Sequence, residues 1–347
     1  MKVLYGILDW GLGHATRSVP IIECLRAHGA DVKVATRGTA LRWMQSRFPE
    51  LEVIEKPGRV ITYAERFNTV KIAAQMPGFA ASLKEETAFV AEQHRLHGFD
   101  LIVSDNCYGF YHPGVKSVLI THQLQVDLPG GLSQLFRTTV KTWIKPFDRL
   151  WIPDAPEHPY SGKLAKLPKG IVADYLGAIS HLPAPVAADI PLVGMVSGPE
   201  PHRTLMEHAL VQLFRKDGRQ AVVIAGDPGR SESVIDNVTV KPNPSAQELC
   251  NLLKGAQTLV CRSGYSSLMD LAVLGKRAIL VPTPGQPEQT YLARLWHETF
   301  GYGMMTQSEL ENASSLPSMT GLAPTYKGDL LKAAVSRVMI SSGVEAS

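Results

Sequence analysis

The sequence predicts an α/β protein built from two doubly wound domains. Short, continuously apolar runs recur along the chain with helical stretches between them, a pattern typical of parallel strands covered by helices on both faces. The proline-rich stretch HLPAPVAADIP at 181–191 interrupts this alternation and predicts a linker. A chain of 347 residues is also longer than one ordinary domain requires.

Eleven apolar runs predict the strands of the two sheets. The first domain should contain Val3–Leu8, Asp31–Thr36, Leu51–Ile54, Asp100–Ser104, Ser117–Thr121 and Leu150–Ile152. The second should contain Leu192–Ser197, Ala221–Ala225, Val238–Lys241, Thr258–Cys261 and Ala278–Val281. We therefore expect an N-terminal domain over 1–185, a C-terminal domain over 190–328 and, from the apolar spacing, a terminal helix over 329–347.

Composition and charge argue against several classes of protein. The chain is 45% hydrophobic and 19% charged, and it lacks the roughly 18–20-residue apolar run that a membrane span needs. Its start does not resemble a secretory signal, so we expect a cytoplasmic protein. A net charge of +3 without a nucleic-acid-binding motif argues against a nucleic-acid partner. The four cysteines lack metal-site spacing and predict free thiols.

The turn after the first predicted strand is the first candidate site. Its sequence is DWGLGHATR, in which Gly11 and Gly13 form a tight turn before a helix. Such a turn points backbone N–H groups and a positive helix end at an anion, which predicts a phosphate-binding or acceptor loop. His14 is the leading general-base candidate, because its pKa lies near neutrality and the turn lies at the carboxyl end of the sheet. Thr16 and Arg17 are expected only to cap and open the helix.

Two further polar clusters follow strands of the first domain. Asp105 lies in SDNCY and His122 in THQ. Since the carboxyl ends of parallel strands share one edge of a sheet, both residues are reserve candidates for the catalytic base. The alternative is an ordinary role in turns or caps, where such residues are common.

The most informative stretch is VCRSGYSSLMDLAVLGKRAILVPTPGQPEQ at 260–289. A strand ends at Cys261, a turn follows, and a helix begins near Ser266. Ser263, Gly264 and Ser266 together with this helix N-terminus predict a cradle for a diphosphate. Asp270 lies one helical turn beyond Ser266 and can accept two hydrogen bonds from the cis diol of a ribose.

Other residues of the second domain complete this predicted donor site. The loop that follows the next strand ends in Glu288 and Gln289, whose carboxylate and amide suit sugar hydroxyls. Arg203, in SGPEPHR after the first strand of the domain, can pair with a phosphate. A surface arginine in the first turn of a helix is the alternative for Arg203.

These motifs resemble those of the GT-B glycosyltransferases, specifically the family 28 type that includes the lipid II-forming N-acetylglucosaminyltransferase and UDP-glucuronosyltransferase-like relatives. The resemblance is most specific over 262–289, and its two-domain plan covers the chain. It implies two Rossmann-like domains facing a cleft. It also implies that Arg262 belongs to the donor site, that Ser263, Gly264 and Ser266 lie at the donor phosphates, that Asp270 lies at the ribose, and that Glu288 and Gln289 lie at the donor sugar. The lipid II enzyme differs in carrying glutamate at the position of Asp270.

The expected activity is an inverting sugar transfer from a nucleoside diphosphate sugar, with UDP favoured, to an acceptor hydroxyl. A lipid-linked or cell-envelope glycan is the acceptor class that the resemblance favours. The chain contains no Asp-x-Asp, so we expect neither a metal nor another cofactor. A nucleotide-sugar hydrolase or epimerase of the same fold remains an alternative. A non-catalytic nucleotide-sugar binding protein is another.

Residues 131–151, GLSQLFRTTVKTWIKPFDRLW, carry four cations at a four-residue step among apolar side chains. The cations are Arg137, Lys141, Lys145 and Arg149. This pattern predicts an amphipathic helix, kinked at Pro146, that contacts an anionic membrane surface. The competing interpretation is a helix that packs its apolar face against the sheet.

Overall fold

The computed structural model describes residues 1–58, 69–125, 132–168, 170–186, 189–227, 229–324 and 329–340. The side chains of 69–77, 79 and 132–136 are outside this description. The chain divides into two compact units. Among the described residues, one unit contains those of 1–180 and 329–340, and the other contains those of 181–324. The division falls at the first residue of the predicted linker, and the C-terminal helical segment belongs to the first unit.

The first unit is a parallel sheet flanked by helices. Its strands are β1 (Lys2–Ile7), β2 (Asp31–Thr36), β3 (Val53–Glu55), β4 (Leu101–Asp105), β5 (Lys116–Ile120), β6 (Arg149–Ile152) and β7 (Ala173–Tyr175). Its first helices are α1 (Gly13–Ala27), α2 (Gly38–Arg47), α3 (Thr69–His97) and α4 (Leu132–Ile144). The strand order is β3-β2-β1-β4-β5-β6-β7, and each neighbouring pair is parallel. The order reverses between β1 and β4, which makes their carboxyl ends the expected ligand position.

The second unit repeats this plan. Its strands are β8 (Ile190–Met195), β9 (Ala221–Ile224), β10 (Ser233–Ile235), β11 (Val238–Lys241), β12 (Ala256–Cys261), β13 (Ile279–Leu280) and β14 (Gly303–Met304). Its helices are α5 (His202–Asp217), α6 (Ala246–Gly255), α7 (Tyr265–Leu274), α8 (Pro287–Phe300) and α9 (Gln307–Glu311). The order is β10-β11-β9-β8-β12-β13-β14, with β10 antiparallel to β11. Here the reversal lies between β8 and β12.

Continuous burial of the central strands explains why their sequences are apolar without alternation. Five of the six residues of β1 are buried, and all five of β4 are. Helix α1 packs Val19, Ile22 and Leu25 against the first sheet. The last helix, α10 (Leu330–Ile340), adds Val335 and Val338 to the same cluster. In the described part of the chain, no helix is long and apolar enough to cross a bilayer.

Candidate functional site

The turn between β1 and α1 brings a helix N-terminus to the reversal point of the first sheet. Gly11 has φ +81°, a conformation that favours glycine, and Gly13 is the first residue of α1. The first turn of α1 carries no acidic side chain, so the positive end of the helix dipole is not offset there. Trp10 and Leu12, on either side of Gly11, expose 36% and 38% of their surface. An acceptor that approaches this turn therefore meets apolar side chains and a positive helix end.

His14 contacts a buried carboxylate at this turn. Its Nδ1 lies 3.0 Å from Oδ1 of Asp105, the last residue of β4. The His14 side chain is 16% exposed, whereas that of Asp105 is fully buried. Because an ionised carboxylate only accepts hydrogen bonds, Nδ1 carries the proton and donates it. The other ring nitrogen, Nε2, then has the lone pair that a general base needs.

Arg17 lies one helical turn beyond His14 and binds the same carboxylate. Its Nε donates to Oδ2 of Asp105 at 2.8 Å and to Oδ1 at 3.1 Å, and its Nη2 also contacts Oδ1. Ser18 Oγ donates to Asp105 Oδ2 at 3.1 Å. Arg17 is only 3% exposed, so its role goes well beyond the expected opening of α1. The i, i+3 spacing from His14 was the sequence signal for this shared face.

Opposing charges set the protonation of these groups. Burial alone would raise the pKa of Asp105, but the charges of Arg17 and His14 hold it below its usual range. Burial and the charge of Arg17 lower the pKa of His14, against the opposing effect of Asp105. The site therefore holds an anionic carboxylate and a neutral imidazole at neutral pH.

Asp105 and His122, the reserve candidates for the base, lie beside His14 and are buried. The Asp105 carboxylate is bound to Arg17 and has no exposed side-chain surface. His122 is 4% exposed, and its Nδ1 lies 3.2 Å from Nη1 of Arg17. Asp105 therefore contacts the partly exposed His14 directly, whereas His122 contacts Arg17.

In the second unit, the N-terminus of α7 lies at the carboxyl end of β12, beside the reversal point. Gly264 is the N-cap residue. No atom of the described residues lies within 4 Å of a Cβ placed on Gly264, so a ligand can approach the backbone there. Ser266 and Asp270 are both partly exposed on this helix. Their four-residue spacing places them on the same helical face.

Arg262 has a different position from the one predicted. Its side chain is fully buried, and Nη1 donates to the carbonyls of Val281 and Pro282, both at 3.2 Å. Nη2 donates at 2.7 Å to His202 O and at 2.7 Å to Gln307 Oε1. Burial lowers the pKa of Arg262 to about 10. Arg262 therefore connects the turn after β12 to the start of α5, to the loop after β13 and to α9.

Ser263 and Gln289 connect the same loops. Ser263 is buried, and its Oγ donates to the carbonyl of Gln289 at 2.8 Å. The Gln289 side chain accepts from Thr283 N at 2.9 Å and donates to Gln286 at 2.6 Å. The hydroxyl of Ser263 thus donates to the backbone at the start of α8. Glu288 lies in the first turn of α8 and is partly exposed.

Arg203 lies in the first turn of α5 and is bound within the protein. Its Nε donates to Glu200 Oε1 at 2.8 Å, and Nη2 lies 3.5 Å from Asp227 Oδ2. Nη1 donates to the carbonyls of Ala225 and Gly226. This network joins the loop after β8 to the loop after β9. A phosphate at Arg203 would have to compete with two carboxylates.

Several polar groups buried behind these loops were not predicted from the sequence. Among the described residues, both ring nitrogens of His202, the hydroxyl of Thr283 and Nε of Arg262 are buried without a hydrogen-bond partner. Thr283 follows β13 and is 1% exposed. Unpaired buried polar groups are costly and rare in proteins. Their burial depends on the arrangement of the segments that follow β8, β12 and β13, which are far apart in sequence.

The 131–151 segment is not one helix. Helix α4 ends at Ile144, and Arg149 belongs to β6, where its guanidinium binds Asp174 at 3.1 Å. The buried apolar side chains of the described part pack in the core; they are Val140, Ile144, Phe147, Leu150 and Trp151. Arg137, Lys141 and Lys145 are exposed. The segment thus combines a core-facing side with three exposed cations, and its residues 131–136 lie outside the described side chains.

Within the described part of the chain, no group of three or more His, Cys, Asp or Glu side chains is arranged to hold a metal ion.

Two family models match this chain in separate parts. Residues 1–113 match a model described as glycosyl transferase family 1. Residues 198–319 match the C-terminal domain of glycosyltransferase family 28. The first match contains His14, Arg17 and Asp105, and the second contains α7 and the loops around it.

Two curated relatives align over shorter stretches. The chain is 32% identical over 80 residues to the UDP-N-acetylglucosamine--N-acetylmuramyl-(pentapeptide) pyrophosphoryl-undecaprenol N-acetylglucosamine transferase of Leuconostoc mesenteroides, covering 21% of this chain and 22% of that protein. It is 29% identical over 116 residues to the protein of the same name from a Methylobacterium species, covering 33% of this chain and 25% of that protein. The alignments thus span about a quarter of the relatives' length.

A solved structure resembles the whole chain. The glycosyltransferase SnogD from Streptomyces nogalater superimposes with a TM-score of 0.64 over 99% of this chain and 100% of its own. The two sequences are 15% identical, so this likeness concerns the fold.

Proposed function

We propose, on the premise that this chain is a GT-B glycosyltransferase whose C-terminal part matches family 28, that it transfers a sugar from a nucleoside diphosphate sugar to an acceptor hydroxyl. UDP is the favoured nucleotide, because the names of both curated relatives include UDP-N-acetylglucosamine. The contact between His14 Nδ1 and Asp105 carries the proposal. It leaves Nε2 of a solvent-facing histidine as the acceptor of a proton.

The proposed reaction begins with removal of the acceptor's hydroxyl proton by His14 Nε2. The resulting oxygen attacks the anomeric carbon as the bond to the diphosphate breaks, and attack from the opposite side inverts the configuration. His14 then carries the proton, and Asp105 stabilises the imidazolium from Nδ1. The Arg17 charge opposes this step and makes His14 a weaker base than an isolated histidine–aspartate pair.

The N-terminus of α7 is the proposed binding site for the leaving diphosphate. Its backbone amides and dipole favour negative charge without a metal ion. Asp270 is the proposed ligand of the ribose hydroxyls, and Glu288 the proposed ligand of the donor sugar. Arg262, Ser263 and Gln289 hold the surrounding loops in place.

The acceptor is proposed to carry an apolar portion next to the hydroxyl that reacts. Trp10 and Leu12 expose apolar surface within four residues of His14. A lipid-linked glycan meets this description, and the curated relatives' name includes a pyrophosphoryl-undecaprenol group. The three exposed cations on and after α4 would then favour an anionic membrane surface.

Ligand-induced thermal shifts test the donor site. We would measure Tm with UDP, dTDP, GDP and CMP for the wild type, for Asp270→Ala and for the control Asp236→Ala, an exposed aspartate of the same unit. A ligand at about 100 times its Kd stabilises the folded state by about 2.7 kcal/mol. One diphosphate should raise Tm by several degrees in the wild type and the control, and Asp270→Ala should remove most of this shift. No shift with any nucleotide would contradict the donor site.

Product analysis then tests the reaction. With the donor identified, His14→Ala should lower transfer about 10²–10⁴-fold while the nucleotide still raises Tm. EDTA should leave the transfer rate unchanged. Equal turnover without an acceptor would instead identify a hydrolase, and nucleotide binding without any turnover would identify a binding protein.

A further inference from the structure

Four side chains from three places in the first unit meet at one point. His14 and Arg17 come from the first turns of α1, Asp105 ends β4, and His122 follows β5. The partners of Arg17 are 88 and 105 residues away along the chain. Arg17 and Asp105 are almost fully buried, so the contact is protected from water.

Arg17 lies between the carboxylate and the second histidine. Nε and Nη2 face Asp105, and Nη1 faces His122 Nδ1 at 3.2 Å. A guanidinium has only donors and stays charged. The His122 nitrogen that faces it must therefore be the unprotonated one, and the proton of His122 must lie on Nε2.

We propose that Arg17 is a positioning residue that assigns the protons of both histidines. It holds the Asp105 carboxylate in the orientation that receives Nδ1–H of His14, and it holds His122 as the neutral imidazole protonated at Nε2. This inference rests on the proposed function only in taking His14 as the base.

The charges around His14 give this arrangement a measurable consequence. His14 faces Arg17 on its own helix, Asp105 at the end of β4 and His122 after β5, while Tyr5 of β1 lies close to Asp105. Of these groups only Asp105 favours a protonated His14. Without the Arg17 charge, the buried carboxylate would have the imidazolium as its main counter-ion, and the pKa of His14 would rise.

Histidine NMR tests the assignment without any substrate. In the wild type we expect the ¹⁵N shifts to report Nδ1–H at His14 and Nε2–H at His122, with His14 titrating below the usual pKa of about 6.5. In Arg17→Met, His14 should titrate about one pH unit or more higher, and His122 should become a mixture of tautomers. Arg26→Met, an exposed arginine on the same helix, should change neither.

A conservative variant covers the case in which Arg17→Met does not fold. Arg17→Lys keeps the charge but replaces the separate nitrogens that face Asp105 and His122 by a single one, so it cannot reproduce both contacts in the geometry of the guanidinium. His14 should then titrate close to the wild type, while His122 loses its single tautomer. Unchanged His122 tautomers in this variant, or an unchanged His14 titration in Arg17→Met, would overturn the proposal.

The pH dependence of kcat/KM extends the test to the reaction. The acid limb reports the pKa of the base in the free enzyme, so Arg17→Met should move it upward with His14, and Arg17→Lys should not. A structural role alone would lower the rate at every pH without moving the limb. If the NMR result holds but no transfer is found, the proposed function fails while the role of Arg17 stands.

Discussion

Among the described residues, Arg17 and Arg262 are buried, and different kinds of partner stabilise their charges. Arg17 is bound to a carboxylate, so its charge is neutralised inside the first unit. The Arg262 guanidinium hydrogen-bonds to backbone carbonyls and to the amide of Gln307. A buried cation held by neutral acceptors is stabilised only while all of those acceptors stay in place. Arg262 therefore makes the loops after β8, β12 and β13 depend on one another.

Substitution of Arg262 tests this dependence. Arg262→Lys should lower the free energy of unfolding by about 2–4 kcal/mol, because one ammonium cannot satisfy the acceptors of a planar guanidinium. Arg215→Lys, at an exposed pair with Asp236, should change it by less than about 0.5 kcal/mol. Urea denaturation followed by circular dichroism measures both. Equal stability of the two variants would refute a structural role for Arg262.

At the scale of elements, α4 has a buried apolar side and an exposed side that carries cations. The apolar positions at Val140 and Ile144 are buried beside β5 and β6. Trp143 packs against Tyr108 in a tilted arrangement, with ring centroids 5.4 Å apart. The apolar side of the described segment therefore packs on the sheet, as the competing interpretation had it. Membrane contact by this segment would have to come mainly from its cations.

A vesicle assay tests this contact. Replacement of Arg137, Lys141 and Lys145 by glutamine should weaken co-sedimentation with anionic vesicles about a hundredfold, at about 1 kcal/mol per cation. A matched triple replacement of the cations Arg215, Lys216 and Arg219 in the second unit should have little effect. Equal binding by the wild type and the first triple variant would exclude this segment as a membrane contact.

At the scale of the whole molecule, each unit follows the same plan, yet the first unit is completed by the end of the chain. Helix α10 packs Ala334, Val335 and Val338 into the core formed by β1, β2 and α1. Arg337 donates to Asp174 at 2.7 Å. The stability of the first unit therefore depends on residues that follow the second unit in sequence.

A charge introduced into α10 tests this dependence. Val335→Asp should destabilise the first unit by more than about 3 kcal/mol, because it buries an unpaired carboxylate. Ala333→Asp, at an exposed position of the same helix, should be nearly neutral. Hydrogen exchange resolved by mass spectrometry should show faster exchange in strands of the first unit only. Comparable acceleration throughout 190–324 would contradict the assignment of α10 to the first unit.

The sequence by itself determined the α/β class, the two units and most of the strands. These features depend on local patterns: a buried parallel strand is continuously apolar, and a turn with a positive φ favours glycine, as at Gly11. The short edge strands β7, β10 and β14 were not predicted. All three residues of β10 are exposed, and its two apolar residues are too few to indicate a buried strand.

Only the tertiary structure decided what the polar residues do. His14, Asp105 and His122 were recognised as candidates, but their order around Arg17 follows from the register of β4 and β5 against β1. Arg262 has the sequence of a ligand-binding turn, and its burial depends on the carbonyls of His202, Val281 and Pro282 and on the side chain of Gln307. A side chain's direction is set by packing between elements far apart in sequence, and no local pattern carries that information.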